Sequence, residues 1–157
     1  MSDIFQTVND CLEKYIGGTA FFDELDKAVK HDEDLLRQLI TKAKAEYPNA
    51  KLIASGEIGL CLHNFRMPVD VIVQGGLRKN VEPLNLAKFT KPNEHFVFVD
   101  DSYFSGRTCQ VIKEALEKCG CHLDGIVVIY DGCYEKRNNI SALYRYYDHH
   151  DLLGRKI

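Results

Sequence analysis

The sequence predicts an α/β fold with a mostly parallel sheet flanked by helices, and three observations lead there. Apolar residues recur at three- and four-residue spacing through the first third of the chain. Beyond Asn49 they gather in short runs, Lys51 to Ala54, Val69 to Val73, Phe96 to Val99 and Ile126 to Tyr130. Continuous runs of this length suit strands buried on both faces. Between the last two runs lies a helical stripe, so residues 96–130 read as strand, loop, helix, strand, a unit that crosses over right-handedly within a covered sheet. With 157 residues and 45% hydrophobic content the chain suffices for one domain. Its parts are a helical N-terminal segment over 1–48, a core over 50–131 and a C-terminal hood or tail over 132–157.

Taken in order, Ile4, Phe5, Val8, Cys11, Leu12, Tyr15 and Ile16 form a first helical stripe, stopped by Gly17-Gly18. Phe22, Leu25 and Val29 begin a second. Leu35, Leu36, Leu39 and Ile40 form a third behind His31-Asp32-Glu33-Asp34, whose carboxylates suit the positive end of a helix, and Tyr47-Pro48-Asn49 ends it. A short helical piece, Leu60 to Arg66, precedes the second strand, MPVDVIV. Val111, Ile112, Ala115, Leu116 and Cys119 make the face of the crossover helix, and Gly120 stops it. Ile140 to Tyr147, dense in tyrosine, reads as a last strand because aromatic side chains suit a pleated surface. Close to the end of the sequence, His149-His150-Asp151 reads as an exposed cap.

Composition narrows the function classes. A net charge of −3 gives no blanket of positive potential, so nucleic acid is not an expected partner. No apolar run is long enough to span a membrane. Six scattered cysteines and no apolar leader point to a reducing cytosol. Cys119-Gly-Cys121-His122 lacks a second ligand pair at a metal-site spacing and reads as a thiol cluster at a helix end.

The stretch FVFVDDSYFSGRT, Phe96 to Thr108, carries the chemistry. In an open parallel sheet ligands gather beyond the carboxyl ends of the strands, where Asp100 and Asp101 fall. Ser105-Gly106-Arg107-Thr108 then opens a helix, offering free backbone N–H groups, two hydroxyls and the positive end of a dipole to an anion such as phosphate. Two carboxylates would repel that anion. As acceptor-only groups they suit the paired hydroxyls of a sugar, and a phosphorylated ribose meets both demands.

VFVDDSYFSGRT resembles the phosphoribosyl-pyrophosphate (PRPP) signature of the type I phosphoribosyltransferases. The resemblance implies a Rossmann-like core in which Asp100 and Asp101 bind the ribose 2- and 3-hydroxyls, while Ser102, Tyr103, Phe104, Ser105, Gly106, Arg107 and Thr108 line and wrap the 5-phosphate. It also implies a pyrophosphate loop after the first core strand. LIASGEIGL, Leu52 to Leu60, resembles that element, with Ser55, Gly56 and Glu57 at its turn; a rival position is Gln74-Gly75-Gly76-Leu77-Arg78, whose form is similar to hypoxanthine-type enzymes. Under the first assignment Gln74 to Asn93 replaces the family's closing loop, where Arg78, Lys79 and Lys88 are placed to neutralise the departing diphosphate.

The implied reaction is Mg²⁺-dependent transfer of a 5-phosphoribosyl group between PRPP and a nucleobase or related nitrogen heterocycle, with release of pyrophosphate. The metal would be carried on the ligand's oxygens, with Asp100 and Asp101 acting on it indirectly, through PRPP and water. The alternative is a non-catalytic sensor of PRPP or a nucleotide built on the same fold. Three departures from the pattern stand out. Glu57 has the wrong sign for a diphosphate contact, Phe104 stands where hypoxanthine-type enzymes place an acid, and Arg107 is bulkier than usual. The tail after Tyr130 is loosely similar to orotate-type members, and Tyr144, Tyr146 and Tyr147 are candidates for base stacking. The helical N-terminus and the sheet edge leave homodimer formation open.

Overall fold

The computed structural model describes residues 2–15, 18–74 and 84–157. Three helices come first: α1 (Ile4–Lys14), α2 (Gly18–Lys30) and α3 (Glu33–Glu46). Asp3 caps α1 by accepting from the Phe5 N–H, and Asp32 caps α3 by accepting from that of Leu35. The core then runs β1 (Lys51–Ser55), α4 (Gly56–Asn64), β2 (Val71–Val73), β3 (His95–Tyr103), α5 (Arg107–Lys118), β4 (His122–Asp131) and β5 (Ile140–Arg145).

Every strand pairing in the described sheet is parallel, in the order β2-β1-β3-β4-β5. From β1 the chain moves outward through α4 to β2 and then returns across β1 to β3. The direction of winding therefore reverses at the β1–β3 junction, and an open sheet places its ligand crevice at such a point.

Alternation along β3 divides the core. Phe96 and Phe98 face α5 and its buried Cys109, Ile112, Ala115 and Leu116. Val97 and Val99 face the other way, into a cluster with Phe21, Leu25, Val29, Leu35, Leu39 and Leu62. The two faces explain the uninterrupted apolar runs of the central strands.

The structure moves several expected boundaries. The second helix buries Phe21 completely and leaves Phe22 half-buried, so the stripe begins one residue before Phe22. β3 continues through Tyr103 rather than yielding to a loop after Val99, because β4 offers it partners as far as the Tyr103↔Asp131 pair. The first strand enters α4 directly at Gly56, where a loop followed by a helix from Leu60 was expected. β5 ends at Arg145, and Tyr146–Asp148 form a 3-10 turn. His150 is 2% exposed and stacked on Tyr146 at 4.4 Å, so it is a buried ring and not an exposed cap.

Candidate functional site

β3 carries its two aspartates out of the core. The pleat sends Asp100 toward the α5 face and Asp101 toward α2, where its Oδ2 lies 3.9 Å from the Lys30 ammonium. Asp100 accepts from the Asp101 N–H at 2.8 Å, and Asp101 from that of Ser102 at 3.0 Å. Burial and the Asp101 charge hold the Asp100 carboxyl well above the usual carboxylate range. The adjacent acids are therefore unequal: one is inclined to keep its proton and the other is paired with a cation.

Past Tyr103 the chain turns through Ser105 and Gly106 into α5. Gly106 has φ +75°, and a Cβ there would lie 2.3 Å from the Tyr103 hydroxyl oxygen. Only glycine accepts both constraints without displacing the tyrosine. As N-cap it offers no side chain to the first turn of α5, which also contains no acid. Only Ser105 Oγ reaches back, accepting from the Arg107 N–H at 3.4 Å. The helix thus presents polarised N–H groups beside a cleft of about 230 Å³, bordered by Asp26, Asp100, Ser102, Phe104, Arg107 and Thr108 among others.

Larger hollows of about 360 and 450 Å³ lie between α1 and α2 and beside α5. Neither stands at the carboxyl ends of the strands, and neither joins carboxylates to an open helix N-terminus, so the smaller cleft is the better candidate.

The N-terminal helices contribute what the sequence did not reveal. Asp26 Oδ1 accepts from the Tyr130 hydroxyl at 2.5 Å. Burial, followed by the Asp101 charge, pushes the Asp26 carboxyl up to about 6. One turn on, Lys30 reaches Glu57 at 3.4 Å as well as Asp101. Burial alone would lower the Lys30 ammonium, but the Asp101 and Glu57 carboxylates outweigh it and raise it. His31 adds a contact to Glu57 at 3.3 Å. Glu57, which had the wrong sign for a diphosphate, is thus held by two side chains at the start of α4, while Ser55 is buried at the N-cap.

Phe104 occupies an aromatic corner, edge-on to Phe22 at 5.0 Å and to Tyr130 at 5.8 Å. A Cβ on Gly132 would meet the Phe104 ring at 2.1 Å, so the ring lies directly on the backbone that leaves β4. That segment is tied down from β5, where Arg145 donates to the carbonyls of Cys133 at 3.0 Å and Tyr134 at 2.6 Å and approaches the buried Asp131 at 3.7 Å. Of the other expected site residues, Lys88 is exposed in the 87–89 turn, whereas Arg78, Lys79 and most of the rival loop 74–78 lie outside the described residues. Among the described residues no cluster of three or more His, Cys, Asp or Glu is arranged to hold a metal ion, and no helix is long and apolar enough to cross a membrane.

Comparison with solved structures places this architecture. An adenine phosphoribosyltransferase superposes with a TM-score of 0.50 at 10% identity, over 73% of this chain and 83% of that one. An APRTase from Giardia lamblia complexed with 9-deazaadenine gives 0.50 at 13% identity, over 76% and 83%. The chain has the type I phosphoribosyltransferase fold. No family model and no curated protein matches the sequence. Within the phosphoribosyltransferase fold, β3, the 103–106 turn and the start of α5 occupy the sheet's crevice, where the expected ribose-phosphate residues converge. Asp26, Lys30 and Tyr130 join them across the sheet.

Proposed function

We propose that the protein transfers a 5-phosphoribosyl group between PRPP and a nucleobase or related nitrogen heterocycle, releasing pyrophosphate, with Mg²⁺ accompanying the diphosphate. One observation carries this reading: a single cleft joins a helix N-terminus lacking both side-chain cap and first-turn acid to the Asp100 carboxyl group. The first element suits a phosphate and the second a ribose hydroxyl.

In this reading the α5 N–H groups, Thr108 and Arg107 hold the 5-phosphate, while Asp100 and Asp101 orient the sugar. Fixing the phosphate positions C1, so much of the rate would come from orientation, with the Asp101 carboxylate near the ring favouring the positive charge that develops as the C1–O bond breaks. Diphosphate would lie across the start of α4, facing Lys30 and His31. Arg78 and Lys79 are proposed to add positive charge there. The donor set fits Mg²⁺ held mainly by ligand oxygens, since Asp100 and Asp101 are available but build no protein cage. When bound, the metal would offset diphosphate charge.

Calorimetric titration with PRPP, with and without Mg²⁺ and alongside ribose 5-phosphate, tests the assignment. Metal-dependent binding of PRPP clearly tighter than that of ribose 5-phosphate supports both phosphate positions. Equal binding of the two ligands rejects the diphosphate position, and no binding of either rejects the reading altogether.

A further inference from the structure

Joining C1 of the sugar to a ring N–H of the acceptor leaves one proton that the displaced diphosphate need not take, and the cleft contains few groups able to receive it. Asp100 is inclined to hold a proton already. Asp101 faces the Lys30 ammonium at 3.9 Å. Arg107 is a cation, and Thr108, Ser102 and Ser105 are weak bases. Asp26 remains. It borders the cleft with Phe104, and its carboxyl is held at Oδ1 by the Tyr130 hydroxyl at 2.5 Å, with the Ser102 hydroxyl beside it. Phe104 gives the same cleft an aromatic wall, packed edge-on against Phe22 and against Tyr130, the ring whose hydroxyl holds Asp26.

We propose that Asp26, supplied by the N-terminal helix α2, is the catalytic base that takes the acceptor's ring N–H proton as the glycosidic bond forms. This deepens the phosphoribosyltransferase reading and rests on it. As the N–C1 bond forms, the C1–O bond breaks with its electron pair going to diphosphate, and the ring proton passes to the Asp26 carboxylate and then to water. In reverse, protonated Asp26 returns the proton to the departing ring nitrogen. The groups facing Asp26 are Lys30 on α2, Asp100, Asp101 and Ser102 on β3, and Tyr130 on β4; Glu57 on α4 acts on it through Lys30. A carboxyl group titrating at about 6 is ionised and still basic enough to serve near neutral pH.

The test measures pyrophosphate release from PRPP and Mg²⁺ with adenine, hypoxanthine, guanine, orotate and uracil, for the parent, Asp26→Asn and Asp26→Glu, from pH 5 to 8. PRPP affinity is followed by calorimetry and folding by circular dichroism. We expect Asp26→Asn to keep PRPP affinity within about threefold, lose roughly 100-fold in kcat and lose the rise in rate near pH 6, with partial recovery in Asp26→Glu. An Asp26→Asn protein with unchanged kcat and pH profile overturns the proposal. So does one in which rate falls only in step with PRPP affinity or folding, because that role is structural. A parent that binds PRPP but releases pyrophosphate with none of the bases overturns the base role and leaves the PRPP site standing, whereas a parent that does not bind PRPP removes both.

Discussion

Two helices begin at the carboxyl ends of the neighbouring strands β1 and β3, and they begin differently. α5 starts from Gly106 in a left-handed conformation, with no side-chain cap and no acid in its first turn. α4 starts from Ser55 and Gly56, the latter at φ +63°, but carries Glu57 in its first turn, held by Lys30 and His31. Both N-termini have the same dipole, but only the first is left open to an external anion. The second already has a carboxylate of its own, so a ligand phosphate there must compete with Glu57 for Lys30. Two helix starts with the same dipole thus offer an anion different surroundings once a single acid stands in the first turn of one of them.

The largest expected effect lies at the open terminus. Gly106→Ala forces a Cβ against the Tyr103 hydroxyl in a backbone region L-residues avoid. We expect a loss of about 2 kcal/mol in stability and roughly 100-fold in ribose 5-phosphate affinity, measured by thermal unfolding and calorimetry. A variant that bound as well as the parent would show that the turn does not hold the phosphate. Next comes Asp100→Asn with Asp101→Asn, expected to weaken PRPP binding by roughly 30-fold while the fold persists, since neither group belongs to the apolar core. Parent-like affinity in the double variant would remove the ribose assignment.

The Asp26 carboxyl gives an intermediate effect, readable without any ligand. Its folded value of about 6 lies above the ordinary carboxylate value, so the native state holds this proton more tightly than the unfolded chain. Stability should therefore fall as pH rises from about 4 to 6 and level off above that, with roughly 2 kcal/mol from this group. Asp26→Asn should be more stable than the parent at pH 7 and show a shallower decline, with the raised Asp100 retaining part of it. Equal slopes in urea-unfolding series across this pH range would contradict the assignment. The smallest effect probes the occupied terminus. Glu57→Gln should tighten PRPP binding by about fivefold and leave ribose 5-phosphate unchanged, because only the diphosphate meets that charge. Equal tightening of both ligands would show that the two helix starts are not separate subsites.

The strand, turn and helix start proposed to hold the ribose phosphate were legible because they are written in one uninterrupted stretch, where apolar run, acids, turn and helix start follow in order from Phe96 to Thr108. The strands were legible for a related reason: burial on both faces leaves continuous apolar runs. Asp26 and Lys30 were not. In sequence they are ordinary charges on an amphipathic helix, and their meaning arises only when α2 packs over the end of β3. Burial of Phe21 sets the rotation of that helix. His150 was misread because nearness to the end of the sequence suggests exposure, whereas Tyr146 covers the ring by stacking. The start of α4 was read as a loop because LIASGEIGL resembles the pyrophosphate loop of the type I phosphoribosyltransferases, yet Ser55 and Gly56 serve equally well as a helix entrance.

The contact between Tyr130 and Asp26 joins residues 104 positions apart, while the turn proposed to face the phosphate closes within a few residues. Contacts of such different span form on different clocks, since a long loop must be closed before the distant pair is rewarded. During refolding that turn should therefore mature first, and the acid from α2 should arrive last. For an interval the chain would be able to grip a phosphate without yet being able to discriminate among the molecules that carry one.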